Sequence, residues 1–600
     1  METTNTLKSW PEAAPRLIAV ASGRAPADLV IRGGRWVNVH TREVLPGMDV
    51  AVAEGRFAAI APDLSAAIGP GTQVIEAQGR YMLPGLVDGH MHIESGMLTP
   101  AEFAAAVIPH GTTTMFTDPH EIANVLGLEG VRMMHDEALM QPVNIFTQMP
   151  SCAPSAPGLE TTGFEITPKD VAEAMTWPGI VGLGEMMNFP GVIHADPKML
   201  AEIAATQDAG KTVGGHYASP DLGAPFRAYA AGGPADDHEG TCEADAIARV
   251  RNGMRAMMRL GSAWYDVERQ ITAVTEKGLD PRGFILCTDD CHSGTLVNDG
   301  HMNRVYRHAV ACGADPLVAL QMCTINTATH FGLERELGSI APGRRADLIL
   351  SPDLRTLPVE TVIARGRIVA ENGRLLAECP HYDWPDTARR TVRLGKMLSP
   401  ADFEIAAPEG ANSVTARVIG VVENQAPTKA LTAELAVTDG LAQPDPAQDI
   451  AQIALVERHR GTGGVVNGFV SGFGYRGRMA MGSTVAHDSH HMIVVGTDRA
   501  MMAACANRLG EMGGGISVWK DGAEIASVPL PIAGLMSDAP AAEVADAASR
   551  MVAAMADCGC TLNNAYMQHS LLALVVIPEI RISDLGLVDV TRFQLTDLFE

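Results

Sequence analysis

Between Tyr81 and Arg335, short apolar runs alternate with alanine- and methionine-rich stretches, and this alternation constrains the chain more than any other feature. The strand-like runs are "YMLPGLVDGHMHI", "TTTMFTDPH", "PVNIFTQMPS", "IVGLGEMM", "KTVGGHY" and "GFILCTDD". Stretches such as "AEFAAAVIPHG", "PKDVAEAMTWP", "DPKMLAEIAATQDAG" and "EADAIARVRNGMRAMMRLG" read as helices. Strands alternating with helices predict βα units around a parallel sheet. About 255 residues suit one closed (β/α)8 barrel, a TIM-like α/β architecture, over 81–335.

The flanks read differently. Residues 1–24 look like a short leader, helical in part. "DLVIRGGRWVNV", "MDVAVAEGRFAAIA" and "TQVIEAQGRYMLPG" are short β-rich runs split by glycines and "EGR" turns. The style returns in "GSIAPGRRADLILSPD" and "PVETVIARGRIVAENGRLL". The simplest account is a small β domain, 25–80 plus 336–400, split around the barrel. Residues 401–600 form a C-terminal α+β domain, in which "LLALVVIPEIRIS" reads as strand.

The formal net charge of −25 argues against nucleic-acid binding through phosphates, which needs a basic surface. No 18-residue apolar run occurs, and no apolar segment follows a basic start, so neither a membrane span nor a signal peptide is expected. The ten cysteines show no zinc-ribbon spacing and read as reduced thiols of a cytoplasmic protein.

Barrel enzymes carry their chemistry at the C-terminal ends of the strands. In "GLVDGHMHIES", His90 and His92 are two apart, so in a strand both imidazoles face one side. Further along, apolar runs end at Glu185, His216 and Asp289, and "GPADDHEGT" offers His238. A lone histidine at a strand end is usually just hydrogen-bonded; the ordered set makes coincidence a poor explanation. Imidazole with carboxylate suits Zn, Mn, Fe or Co rather than a thiolate-selecting site. Six ligands exceed the needs of one ion, so two ions sharing Glu185 as a bridge would use them all. His238 could instead polarise a substrate. "FTDPHE" places Asp118, His120 and Glu121 at one rim, where they could bind substrate, although Asp118 could equally cap the next helix with Pro119 at its first position. Glu94 is read as supporting the metals or lining the pocket, and Arg259 as a substrate contact or a surface residue, with Ser262 near it. "AHDSHHM" brings His487, Asp488, His490 and His491 together; a turn over the barrel mouth or a subunit contact is favoured over a second metal site.

The ordered set His90/His92, Glu185, His216, His238 and Asp289 resembles the amidohydrolase superfamily. The flanking "PGLVDGHMHIES" and "GSIAPGRRADLIL" are similar to that superfamily's signatures. Within it, "GTTTMFTDPHEIANVLG", "VGLGEMMNFPGV", "TDDCH", "NTATHFGL", "VVNGFVSGFG" and "VAHDSHHMIVVGTD" resemble the adenine deaminase family over about residues 25–540. The resemblance implies hydrolytic deamination of adenine to hypoxanthine and ammonia. Two divalent ions would acidify water, and Asp289 would move the proton to the leaving ammonia. Mn2+ or Fe2+ is the expected pair, with Zn2+ as the alternative, in a homodimer or higher homo-oligomer. The competing function is a cyclic-amide hydrolase of the same superfamily, but the lysine that would mark it is replaced by Glu185. "TDDCH" departs in having Cys291 where arginine is expected.

Overall fold

Nine parallel strands carry, or run directly into, the clustered histidines and carboxylates: β1 (Leu86–His92), β2 (Thr112–Thr117), β3 (Asn144–Met149), β4 (Ile180–Met186), β5 (Thr212–Gly215), β6 (Asp236–Asp237), β7 (Arg255–Arg259), β8 (Phe284–Cys287) and β9 (Asp289–Asp290). The computed structural model describes residues 7–563 and 565–600, so part of the expected leader, 1–6, lies outside the described residues. Two parallel sheets result, one ordered β5-β4-β3-β2-β1-β9 and one ordered β6-β7-β8. They curl around a common interior. The Ala235 N–H, just before β6, donates to the Val213 carbonyl of β5 at 2.8 Å. β8 runs into β9 across Thr288, so one chain segment pairs with β7 and then with β1. Every residue of β1 and of β2 is buried, as expected of parallel strands covered on both faces.

The strands Leu29–Asn38, Glu43–Ala53, Arg56–Ala61, Gln73–Glu76 and Tyr81–Pro84 share one sheet with four strands from 348–375. The seam is antiparallel, with Leu83 opposite Ile349. A helix at Trp10–Ala21 packs on this sheet through Ala13, Leu17 and Val20, which meet Val30 and Ala51. The described part of the expected leader is therefore anchored by an apolar stripe at helical spacing.

A third large sheet, almost entirely antiparallel, is built from 413–529, and a small three-stranded sheet from 580–596. The run Leu571–Ile577 differs from the expected strand. It forms one 3-10 turn, Leu571–Ala573, and then a loop, fully buried although unpaired. Its side chains are covered by neighbouring segments, so burial there does not need a ladder. No helix among the described residues is long and apolar enough to cross a membrane.

The helix Pro197–Asp208, capped by Asp196 accepting from the Lys198 N–H at 2.8 Å, buries Met199, Glu202, Ile203 and Thr206. Neither carboxylate oxygen of Glu202 has a hydrogen-bond partner, and the Lys198 ammonium is 4.0 Å away. Burial pushes its carboxyl up to about 8, against the pull of Lys198. Between the ordinary carboxylate range and about pH 8, the folded chain keeps a proton there that the unfolded chain releases, so stability falls as pH rises through that window. Glu202→Gln should therefore raise Tm by about 1–3 °C at pH 8.5 and change it little at pH 4.5. Thermal melts at the two pH values decide it, and an equal shift at both would refute the assignment.

Candidate active site

The C-terminal ends of the parallel strands meet in register. Asp289 lies opposite Met91 and Asp290 opposite His92. Thr117 of β2 pairs with Met91, and Gly215 of β5 with Met186. The pleat aims His90 and His92 to one side of β1; Glu185, near the end of β4, and His216 and His238, directly after β5 and β6, reach the same place.

Glu185 is the centre. Its Oε1 is 3.4 Å from His92 Nε2 and 3.2 Å from His120 Nδ1. Its Oε2 is 3.0 Å from His238 Nε2 and contacts His216 Nδ1. One carboxylate thus faces two pairs of imidazoles, one pair per oxygen. His90 stacks on His238 with ring centroids 4.0 Å apart. Asp289 closes the ring, with Oδ1 3.3 Å from His92 Nε2 and 4.0 Å from His90 Nε2, and Oδ2 2.8 Å from Arg259 Nη1. The Asp289 backbone is left-handed, at φ 59°, a strained conformation of the kind found at functional sites. His92 Nδ1 lies 2.9 Å from the Asp118 carbonyl, which only accepts, so that nitrogen carries the proton and Nε2 is free to face the cluster.

Electrostatics follow from depth. Burial alone would push the Asp289 carboxyl up, but His92, Arg259 and His238 hold it well below the usual carboxylate range. Glu185 is likewise held low by His216 and His238 against burial. Burial, then the neighbouring His238 and His92, keeps His90 neutral, the form that donates a lone pair.

A small cavity opens onto this cluster. His92, Glu185, His216, His238 and Asp289 line it, as do His120 and Arg259. Glu94, Asp118 and Glu121, expected at the substrate rim or in support of the site, are buried beside the cluster and hold neighbouring groups. Asp118 Oδ2 accepts the Glu185 N–H at 2.8 Å, Glu94 accepts the Ile122 N–H at 3.3 Å, and Glu121 accepts the Ser95 hydroxyl at 3.3 Å. Asp118 caps no helix either: the helix His120–Met140 has Pro119 at its cap position and no side-chain cap. Arg259 does face the cavity, but its guanidinium is taken up by Asp289, Glu239 and Asp266. Ser262 donates to the Thr295 hydroxyl beside the site. Cys291 is buried with its thiol pushed up to about 12 by burial, so it is a neutral packing group.

Several wall residues were not anticipated. Glu239, adjacent to His238, sits 3.6 Å from its Nε2; the "DDHE" run was the available signal. Met187 and Trp264 add apolar surface, and Ala426, Leu571, Leu574 and Ile577 arrive from the C-terminal region. His487 and Asp488 also line the cavity, with Asp488 Oδ1 3.3 Å from His120 Nε2, so the 486–491 turn lies over the strand ends. His490 and His491 point away; His491 Nε2 meets the Thr161 carbonyl at 2.9 Å.

The donor set fits divalent cations. The cluster carries Glu185, Glu239, Asp289, Asp290 and Asp488, and Arg259 is the one lysine or arginine among the described residues lining the cavity. His90 Nε2, His216 Nε2 and Glu121 Oε2 are buried without hydrogen-bond partners. His90, His92 and Asp289 converge within ligand distance of one another, as do His90, Glu185 and His238. Buried carboxylates in such excess call for positive charge.

Gly184 shows how tightly Glu185 is set. A Cβ there would lie 2.1 Å from Asp118 Oδ2, the oxygen that holds the Glu185 N–H. Gly184→Ala should expel Asp118, tilt Glu185 and lower bound metal affinity by about 10–100-fold. Metal content after gel filtration reads this directly, and wild-type content would contradict it.

Residues 81–369 match the amidohydrolase family, and residues 425–594 match the adenine deaminase C-terminal domain. The chain is 79% identical to the adenine deaminase of Ruegeria pomeroyi over all of both chains. It is 76% identical to that of Ruegeria sp. (strain TM1040) over 100% of this chain and 99% of the other. It is 47% identical to that of Moorella thermoacetica over 99% of each. With an amidohydrolase-type site and relatives matched from end to end, the chain belongs to the adenine deaminase family.

Proposed function

We infer that the chain is an enzyme that deaminates adenine hydrolytically to hypoxanthine and ammonia. The observation that carries this is its end-to-end identity with adenine deaminases, including the C-terminal domain match. The cyclic-amide alternative is not favoured, because the relatives matched from end to end are adenine deaminases.

The metal ligands are proposed to be His90, His92, Glu185, His216, His238 and Asp289, holding two ions, Mn2+ or Fe2+. The mixed imidazole and carboxylate donors support that choice. Ions bound there would lower the pKa of water toward neutrality. Asp289 then serves as the base. Arg259 holds its Oδ2, and Oδ1 remains toward the cluster. It takes one proton from the attacking water as oxygen bonds to C6, then hands that proton to the exocyclic nitrogen as the C–N bond breaks. His120 and Asp488 offer a donor and acceptor for ring nitrogens, and Trp264 and Met187 an apolar face. Glu94, Asp118 and Glu121 act through the residues they hold.

The same reading takes β1 to β9 as eight strands of one closed barrel, with β8 and β9 as a single interrupted strand; the continuous run across Thr288 supports it. It divides the chain into a split β domain (25–80 plus 336–400), a barrel (81–335) and a C-terminal domain (401–600), supported by the shared sheet of 29–84 and 348–375. Ten unpaired thiols accord with the cytoplasm, and a homo-oligomer is the assembly proposed.

Metal-loaded protein should convert adenine to hypoxanthine with one ammonia released. Glu185→Ala and Asp289→Asn should each lower kcat by at least about 1000-fold. Ultraviolet absorbance and an ammonia assay provide the readout. Near-normal kcat in either variant refutes the assigned role, and no turnover of adenine by the wild-type chain refutes the function.

A further inference from the structure

The cavity has two unlike halves. One is the charged cluster at the strand ends. The other is apolar, made by Ala426, Leu571, Leu574 and Ile577. Neither contributing segment is regular where it meets the cavity. Ala426 lies in the loop between the strands Ser413–Gly420 and Lys429–Thr438, and 571–577 is a single 3-10 turn followed by loop. Such segments need an anchor to present a fixed surface.

Arg581, in the strand Ile580–Ser583, is that anchor. Its side chain is buried, at 1% exposure. Nε donates to the Ile577 carbonyl at 2.9 Å, Nη1 to the Leu571 carbonyl at 2.8 Å, and Nη2 to the Ala426 carbonyl at 2.6 Å. All three acceptors belong to residues of the apolar wall. No carboxylate pairs with Arg581 among the described residues. Burying a cation against carbonyls alone is costly, and a methionine would fill much of the volume without that penalty. Packing by itself therefore does not call for arginine here; a planar fork with donors in three directions does. Thr428, at the end of the Ala426 loop, bonds just beyond the 571–577 run, its hydroxyl donating to the Ile580 carbonyl at 2.8 Å and its N–H to the Pro578 carbonyl at 2.9 Å.

We propose that Arg581 is a positioning residue for the substrate: it clamps the 424–428 and 571–577 segments into one apolar wall against which the purine ring is seated. It touches neither the substrate nor the metal ligands. The proposal rests on the adenine reading above and adds the specificity element to it.

The test is steady-state kinetics of the full-length, metal-loaded Arg581→Met and Arg581→Lys proteins with adenine, alongside metal content per chain. Arg581→Met should raise KM about 10-fold with kcat within about 3-fold of wild type and metal content unchanged; Arg581→Lys, which keeps the charge but loses the fork, should fall between. A folded Arg581→Met protein with wild-type KM overturns the proposal, as does a fall in kcat at constant KM. If Arg581→Met does not fold, Leu574→Ala, which trims the wall and leaves the clamp intact, decides: a raised KM supports the wall and an unchanged KM overturns it. Failure of the wild-type chain to turn over adenine would instead sink the underlying function, so the two failures are distinguishable.

Discussion

Everything at the site is arranged around one carboxylate between four imidazoles. Glu185 presents one oxygen to His92 and His120 and the other to His216 and His238. That placement needs β4 to end at a fixed height, and Asp118 fixes it by accepting the Glu185 N–H across the Cβ-free Gly184. Asp118 also supplies the carbonyl that sets the His92 tautomer. A single turn after β2 therefore orients residues on both β1 and β4. The clustered side chains are only as well placed as the strands that end beneath them.

The C-terminal region completes the site from above. The 486–491 turn brings His487 and Asp488 to the cavity, and the loops at 426 and 571–577 bring its apolar side. Both are fastened by buried arginines that donate mainly to backbone carbonyls. Arg458 reaches the carbonyls of His490, Ala533 and Thr484, and Arg581 those of Ala426, Leu571 and Ile577. Guanidinium forks thus do for loops what ladders do for strands. The charged side of the cavity comes from the strand ends and the 486–491 turn, and much of its apolar side from the loops at 426 and 571–577, a division suited to a flat, nitrogen-rich ring attacked at one edge.

The histidines and carboxylates at strand ends were legible in the sequence because the chemistry sits at a fixed phase of the βα repeat. His90, His92, Glu185, His216 and Asp289 end or follow strand-like runs, His238 follows the short "GPADD" segment, and the structure brings all six together. Asp118, Glu94 and Glu121 were harder. Their residue type announces a polar site, but their direction depends on the donor each accepts from, a backbone N–H for Asp118 and Glu94 and the Ser95 hydroxyl for Glu121, and no periodicity encodes that. Arg259, which the sequence offers as a substrate contact or a surface residue, is buried and held by three carboxylates, of which Glu239 and Asp266 do not stand among the candidate ligands. The Leu571–Ile577 run was read as strand because its pattern is apolar; a buried loop held by Arg581 has the same pattern. Long-range contacts of that kind leave no trace in local spacing.

The central claim is that the cluster around Glu185 is complete only with divalent cations. Differential scanning of metal-stripped and Mn2+-reloaded protein tests it most directly. The account predicts that stripping lowers Tm by about 5–10 °C and that reloading restores it. A stripped protein that melts at the same temperature and still turns over adenine at the full rate would contradict it.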